Sequence, residues 1–131
     1  MNKVITTEDN NHILALDLNA RSKDDFLIYA NAVNRARAIP LAEDNLKPIH
    51  RKILYTFYLT KLTSDKEPKK SRATVGEVLK LSPHGDAATY GALVRLAQGW
   101  KLRYPLVERQ GNCGNLLGRP PAAARYTNAK L

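Results

Sequence analysis

Apolar positions along the chain fall into short helical runs separated by proline and glycine. Phe26, Ala30 and Val33 recur at helical spacing, and Ser22 stands three residues before Asp25 as a weak helix-start signal. The pattern predicts a helix over 23–37 that Pro40 stops. Residues 1–22 read as an N-terminal arm with a short strand at Ile13–Leu18, and Leu41–Lys47 as a polar connection. Pro48 suits a first helical turn, where its missing N–H is not needed. Ile49, Ile53, Phe57 and Lys61 lie four apart, with Leu54 and Tyr58 beside them, so an amphipathic helix follows. Residues 63–70 form a charged loop and Ser71 to Leu81 a short helix. Pro83-His84-Gly85 is a breaker, and Asp86 is placed to cap a helix over 87–98 that Gly99 ends.

After Gly99 the period changes. Leu102, Tyr104, Leu106 and Val107 predict a strand, and the Gly- and Asn-rich stretch 110–115 a loop. Pro120-Pro121 stiffens the approach to Ala122–Leu131, whose strand or helix character the pattern leaves open. Helix, helix, turn, helix, then strands is the order of a winged helix-turn-helix. The expected fold is therefore α+β and mostly helical, a CAP-like winged helix-turn-helix with a small β wing over 23–131.

At 131 residues the chain suits one compact domain with a real core, and 44% apolar against 25% charged residues argue against whole-chain disorder. No apolar run approaches the ~20 residues of a membrane span, and no signal peptide is read at the start. The single cysteine, Cys113, excludes an internal disulfide and a cysteine-based zinc site, and fits a reducing, cytoplasmic setting. His12, His50 and His84 are too scattered for a metal cluster, and there is no Walker loop. Charge adds the first positive clue. Residues 1–44 carry 5 basic and 7 acidic side chains, net −2, whereas 45–131 carry 16 and 5, net +11. A concentrated positive field captures polyanions, and duplex DNA is the natural partner. An RNA-binding protein or simple solubility is the alternative on charge alone.

Within the helix over 87–98, Ala87, Gly91, Arg95 and Gln98 share one face, while Tyr90, Leu93 and Ala97 occupy a core-facing side. A face of small residues with one arginine can approach a DNA groove, or can simply be solvated. Taken singly, Tyr126 reads as an amphipathic core tyrosine, Arg37 and Lys47 as surface cations, and His84 as a turn residue.

Four blocks in order change that balance. They are Arg37-Ala38-Ile39-Pro40 with Asp44 through Lys52; Lys69-Lys70-Ser71 with Val75-Gly76-Glu77-Val78; Pro83-His84-Gly85-Asp86; and Arg103-Tyr104-Pro105-Leu106-Val107 through Gln110-Gly111-Asn112 to Ala122–Thr127. Together, over about Phe26 to Leu131, they resemble the DNA-breaking A subunits of type IIA topoisomerases, DNA gyrase and topoisomerase IV. Pro105 resembles topoisomerase IV more than gyrase.

The resemblance implies that Tyr126 attacks a DNA phosphodiester and becomes joined to the 5′ phosphate, a link that conserves the bond energy for resealing. A free tyrosine, with its pKa of about 10, is a weak nucleophile, so cations must favour the phenolate and stabilise the phosphorane-like transition state. It implies Arg125 as the catalytic arginine, with Arg37 and His84 completing the catalytic set; His84 is the candidate for proton transfer or contact with the scissile phosphate. Lys47, His50, Arg51, Lys52, Lys69, Lys70 and Arg95 are the candidate DNA-binding residues. No metal ligand is assigned to this chain. Mg2+ and ATP are expected on a B-type subunit carrying the ATPase and the metal-binding segments, and a homodimer is implied because the family builds two active sites from two copies.

The sequence departs from the family pattern at several points. Ser82 stands where a second histidine usually precedes Pro-His-Gly, Asn45 where a glycine is usual, and Cys113 where an aromatic residue packs in the loop. The chain also stops five residues after Tyr126, so the expectation is a domain truncated after the catalytic tyrosine that cannot pass strands alone. The alternatives are a non-catalytic DNA-binding remnant and a decoy that pairs with a full-length family member. Ala87 and Gly91 occupy positions where quinolone-sensitive members carry a hydroxyl and an acid that anchor a drug-bound metal through water. An enzyme containing this domain is expected to resist quinolones; strong fluoroquinolone-induced DNA cleavage by the wild-type sequence, measured on a supercoiled plasmid, contradicts this.

Overall fold

A computed structural model describes residues 17–131. The chain divides after Ile39 into two units, the second being Pro40–Leu131. Of the strand expected at Ile13–Leu18, residues 13–16 lie outside the described residues, and Leu18 is already helical. Helix α1 runs Leu18–Val33 and a π-helical turn, Asn34–Ala38, continues it. The helix starts before Ser22 because Asp17 is the cap, its carboxylate accepting the amide of Asn19. Arg21 and Asp25, one turn apart, form an ion pair on its surface. Phe26, Leu27, Ile28 and Tyr29 are consecutive and so point around the helix rather than along one face; all four are exposed.

The second unit holds helices α2 (Pro48–Leu59), α3 (Ser71–Leu79) and α4 (Asp86–Leu96), which pack against one another. The approach to α2 is a turn over 41–46, closed by backbone bonds between Leu41 and Leu46 and between Asn45 and Leu41. Asn45 sits at φ 55, in the left-handed region that asparagine tolerates better than most side chains, as its place at a usual glycine position anticipates. The end of α2 is a Schellman motif: Leu62 N–H donates to Phe57 O and Lys61 N–H to Tyr58 O, with Lys61 at φ 51. That turn drives Leu62 back into the core beside Phe57.

The core joins Ile53, Phe57 and Leu62 to Val75 and Val78 of α3, Leu93 and Leu96 of α4, Ala129 of the sheet, and Val107 just before it. The stripe expected on α2 is narrower than read. Ile53 and Phe57 are fully buried, Ile49 and Leu54 partly so, but Tyr58 is 71% exposed and stacks on Tyr55 at the surface.

The sheet is antiparallel, in the order β1 (Lys69–Lys70), β3 (Asn128–Lys130), β2 (Glu108–Gln110). Lys69 pairs with Ala129 and Lys70 with Asn128, so the end of the charged loop is a short strand. Glu108, Arg109 and Gln110 pair with Lys130, Ala129 and Asn128. The strand expected from Leu102 therefore begins only after Val107. Lys101 and Leu102 instead donate to Gln98 O in a turn off α4, Pro105 has no N–H to give, and Leu106 donates to Leu96 O. The open question of Ala122–Leu131 is answered by a turn at 124–126 followed by β3. Asp86 is the first residue of α4 rather than its cap; Gly85 occupies the cap, and the Asp86 carboxylate accepts from Ala87 N–H.

Phe57→Ala, which empties the centre of this core, is expected to cost about 3–5 kcal/mol in urea unfolding. Tyr58→Ala, one residue away on the solvent side, should stay within about 0.5 kcal/mol.

Candidate nucleic-acid interface

Tyr126 is displayed on a turn that is pinned at both ends. Its own N–H donates to Ala123 O at 2.8 Å. The next residue, Thr127, is fully buried, and its hydroxyl donates to Ser71 Oγ at 2.8 Å and lies 3.0 Å from the Tyr90 hydroxyl. Tyr90 in turn donates to Ala122 O at 2.6 Å. The first amides of α3 complete the attachment: Ser71 N–H donates to Thr127 O and Arg72 N–H to Ala124 O. A helix N-terminus has amides without intrahelical partners, and here the tyrosine-bearing segment supplies two of the missing acceptors. Gly111, at φ +100, lies so close that a Cβ there would stand 3.2 Å from Tyr126 O.

This anchoring holds the backbone while leaving the side chain out. The Tyr126 ring is 63% exposed, and the Arg125 guanidinium carbon lies 4.8 Å from its centroid. Such stacking puts positive charge beside the ring. Arg125 also borders a cleft of about 460 Å³ between α3, α4 and the turn, whose lining includes Arg72, Asp86, Ala87 and Tyr90. His84 is exposed in the bend that leads into Asp86 and Ala87. Ser82, by contrast, is buried, and its Oγ has no hydrogen-bond partner among the described residues.

The other candidates divide by environment. Arg37 is exposed in the first unit, in the π-helical turn. Lys69 and Lys70 are exposed on β1, and Arg95 is exposed in the last turn of α4. Gln98, read onto the same face as Arg95, is buried instead and donates to Cys113 O at 2.7 Å. Cys113 is itself buried.

Around the start of α2, Lys47 is exposed at the cap position and Lys52 partly buried. Arg51 is engaged with Asp44, its Nε and Nη2 donating to both carboxylate oxygens at 2.6–3.0 Å. That fork, with the Leu46 amide, holds the Asp44 carboxyl below the ordinary carboxylate range. Arg51 thus braces the turn before α2, and its charge is partly matched. His50 is half-buried, and its Nδ1 accepts a long bond from Lys47 N–H at 3.4 Å, which leaves its proton on Nε2. Burial first, then the charges of Lys47 and Arg95, push the imidazole below its usual pKa. Sequence reasoning missed the Tyr90–Thr127–Ser71 hydroxyl cluster; the only signal was a threonine next to Tyr126, since the partners lie far apart along the chain.

The sign of the His50 shift fixes a pH dependence. The folded state disfavours the proton that the unfolded state takes up near pH 6.5, so the contribution is present above that value and lost as pH falls below it. Thermal melting between pH 7.5 and 5.5 should show a fall in stability that His50→Gln reduces.

Comparison with known proteins then assigns the chain. Residues 37–131 match the family model that describes the A subunit of DNA gyrase/topoisomerase IV. The DNA gyrase A subunit of Brachyspira hyodysenteriae is 54% identical over 110 residues, covering 83% of this chain and 13% of that protein. Its Borrelia hermsii counterpart is 48% identical over 129 residues, covering 98% of this chain and 16% of that protein. The Spiroplasma citri counterpart is 50% identical over 117 residues, covering 88% and 52%. The chain thus spans from about an eighth to about half the length of these relatives. They are named as gyrase subunits, whereas Pro105 pointed toward topoisomerase IV; the family model covers both. With that match across the whole of its second unit, the chain is a member of the DNA gyrase/topoisomerase IV A-subunit family.

Proposed function

We propose that this chain is the DNA-binding and DNA-cleaving segment of a type IIA topoisomerase A subunit, built as a winged helix-turn-helix. In this reading α3 and α4 form the helix pair and the three-stranded sheet the wing. The single observation that carries the reading is the display of Tyr126: an exposed phenol on a rigidly held turn, with a guanidinium against its ring.

The Tyr126 oxygen attacks the phosphorus of a DNA phosphodiester. The new Oη–P bond forms as the P–O3′ bond breaks, leaving a 5′-phosphotyrosyl end and a free 3′ hydroxyl. His84 serves the proton transfers, from the phenol and to the leaving 3′ oxygen. Arg125 and Arg37 stabilise the extra charge on the phosphorane-like transition state. Attack by the 3′ oxygen on the same phosphorus reseals the strand. Lys47, Lys52, Lys69, Lys70, His50 and Arg95 hold the duplex, and Arg51 acts mainly through Asp44.

The cleft beside Tyr126 offers one carboxylate, Asp86, against the guanidinium groups of Arg72 and Arg125, so its donor set does not fit a divalent cation. Magnesium and ATP are assigned to the B-type partner, and the active assembly to a cytoplasmic homodimer of A subunits. No helix among the described residues is long and apolar enough to cross a membrane.

The test supplies the B-type subunit, magnesium and ATP together with a 3′-labelled duplex, and resolves protein-linked DNA on a denaturing gel. Wild type should accumulate the adduct, and Tyr126→Phe should lose it while binding duplex with unchanged salt dependence. An adduct that survives in Tyr126→Phe removes Tyr126 from the chemistry. Duplex binding without adduct in either protein identifies a non-catalytic DNA-binding remnant.

A further inference from the structure

The cleft next to Tyr126 contains a cation outside the candidate set assigned above. Arg72 lies in the first turn of α3, exposed, and lines the cleft that Arg125 also lines. Its backbone is bolted to the tyrosine-bearing segment: Arg72 N–H donates to Ala124 O at 3.1 Å, and the neighbouring Ser71 N–H donates to Thr127 O at 2.9 Å. These two bonds bracket Arg125 and Tyr126, so Arg72 is held in register with the turn that presents the phenol. Among the described residues neither Arg72 nor Arg125 has an ion-pair partner. Asp86, the acid on the cleft wall, has a carboxylate oxygen turned onto the Ala87 amide of its own helix. Two guanidinium groups against that one carboxylate leave the cleft with a net positive charge.

We infer that Arg72 binds a DNA phosphodiester in this cleft, beside the one that Tyr126 attacks. This rests on the proposed DNA-cleaving role. The chemistry selects the ligand. A guanidinium presents a planar fork of N–H donors that matches the two non-bridging oxygens of a phosphodiester. The walls below it, formed by Val75, Leu79 and Tyr90, are largely apolar, which strengthens a charge-assisted hydrogen bond relative to one in open water. Arg125 stacks on the Tyr126 ring at 4.8 Å, where it serves the phosphate under attack, which leaves Arg72 to engage the neighbouring one. The sugar–phosphate backbone carries a charge about every 3.4 Å of axis along each strand, so a strand with one phosphate at the phenol offers further phosphates to the cleft that the adjacent Arg125 lines.

The test uses the 131-residue chain and a short blunt duplex followed by fluorescence anisotropy over a range of salt concentrations. Arg72→Ala should weaken binding roughly tenfold at low salt and reduce the slope of log K against log salt by about 0.9, the loss of one phosphate contact. Arg72→Lys should keep the slope while losing part of the affinity, because a point charge replaces the fork. Arg21→Ala, which removes a cation already paired with Asp25, should leave both unchanged. Arg72 meets the turn through its backbone, so truncation spares the fold; Arg72→Gln gives a second uncharged variant, and equal melting temperatures verify that both remain folded. Wild-type binding with an unchanged slope in folded Arg72→Ala and Arg72→Gln overturns the inference and leaves the proposed function standing. Failure of the wild-type chain to bind duplex at all overturns both.

Discussion

The attachment of the 122–128 segment to the start of α3 is the constraint on which the candidate site depends. A reactive side chain must be exposed, yet exposure alone would let a turn wander. The chain solves this by burying the residue after the tyrosine. Thr127 is fully buried and clusters with buried Ser71 and half-buried Tyr90, and each hydroxyl finds a partner there. A buried hydroxyl left unpaired costs about 1–3 kcal/mol, so any displacement of the turn by a few ångströms is opposed by several groups at once. The exposed phenol inherits the rigidity of its buried neighbour.

The same arrangement couples the sheet to the helices of the second unit. β3 begins one residue after Thr127 and pairs on either side with β1 and β2. β1 leads without interruption into α3, whose first amides hold the tyrosine turn. Tyr90, midway along α4, reaches the same turn through its hydroxyl. Sheet, helices and the tyrosine-bearing segment therefore converge on a few hydrogen bonds, while the apolar core around Phe57 and Leu96 supplies the bulk stability.

Much of this was legible in the sequence. The helices of the second unit followed from period and punctuation: Pro48 at a first turn, the Pro83–Gly85 break, and Ile53 and Phe57 on one stripe. The family was legible because several blocks occurred in order. What escaped the sequence was set by partners far away along the chain. The cap of α1 was displaced because Asp17 competes with Ser22 and wins through its bond to Asn19. The strand after Gly99 was delayed because alternation at Leu102–Val107 says nothing about which amides have partners, and these amides bond back to α4. Tyr58 lay beside the core stripe by spacing, but the helix turns it to solvent. Gln98 seemed a surface residue by its polarity, yet it is buried to satisfy the Cys113 carbonyl. Arg51 carried a charge the sequence could count, but the fork to Asp44 that matches it depends on the fold of the intervening turn.

Gly111 carries a consequence for how such a chain can vary. Its left-handed backbone packs against the carbonyl of Tyr126, fifteen positions later, leaving no volume for even a methyl group without displacement. The address of the phenol is thus written partly in a residue that has no side chain and performs no chemistry. A side chain at this loop position would press on the backbone that presents the Tyr126 ring, so the conformation of the loop and the placement of the phenol are bound to each other through a single hydrogen atom.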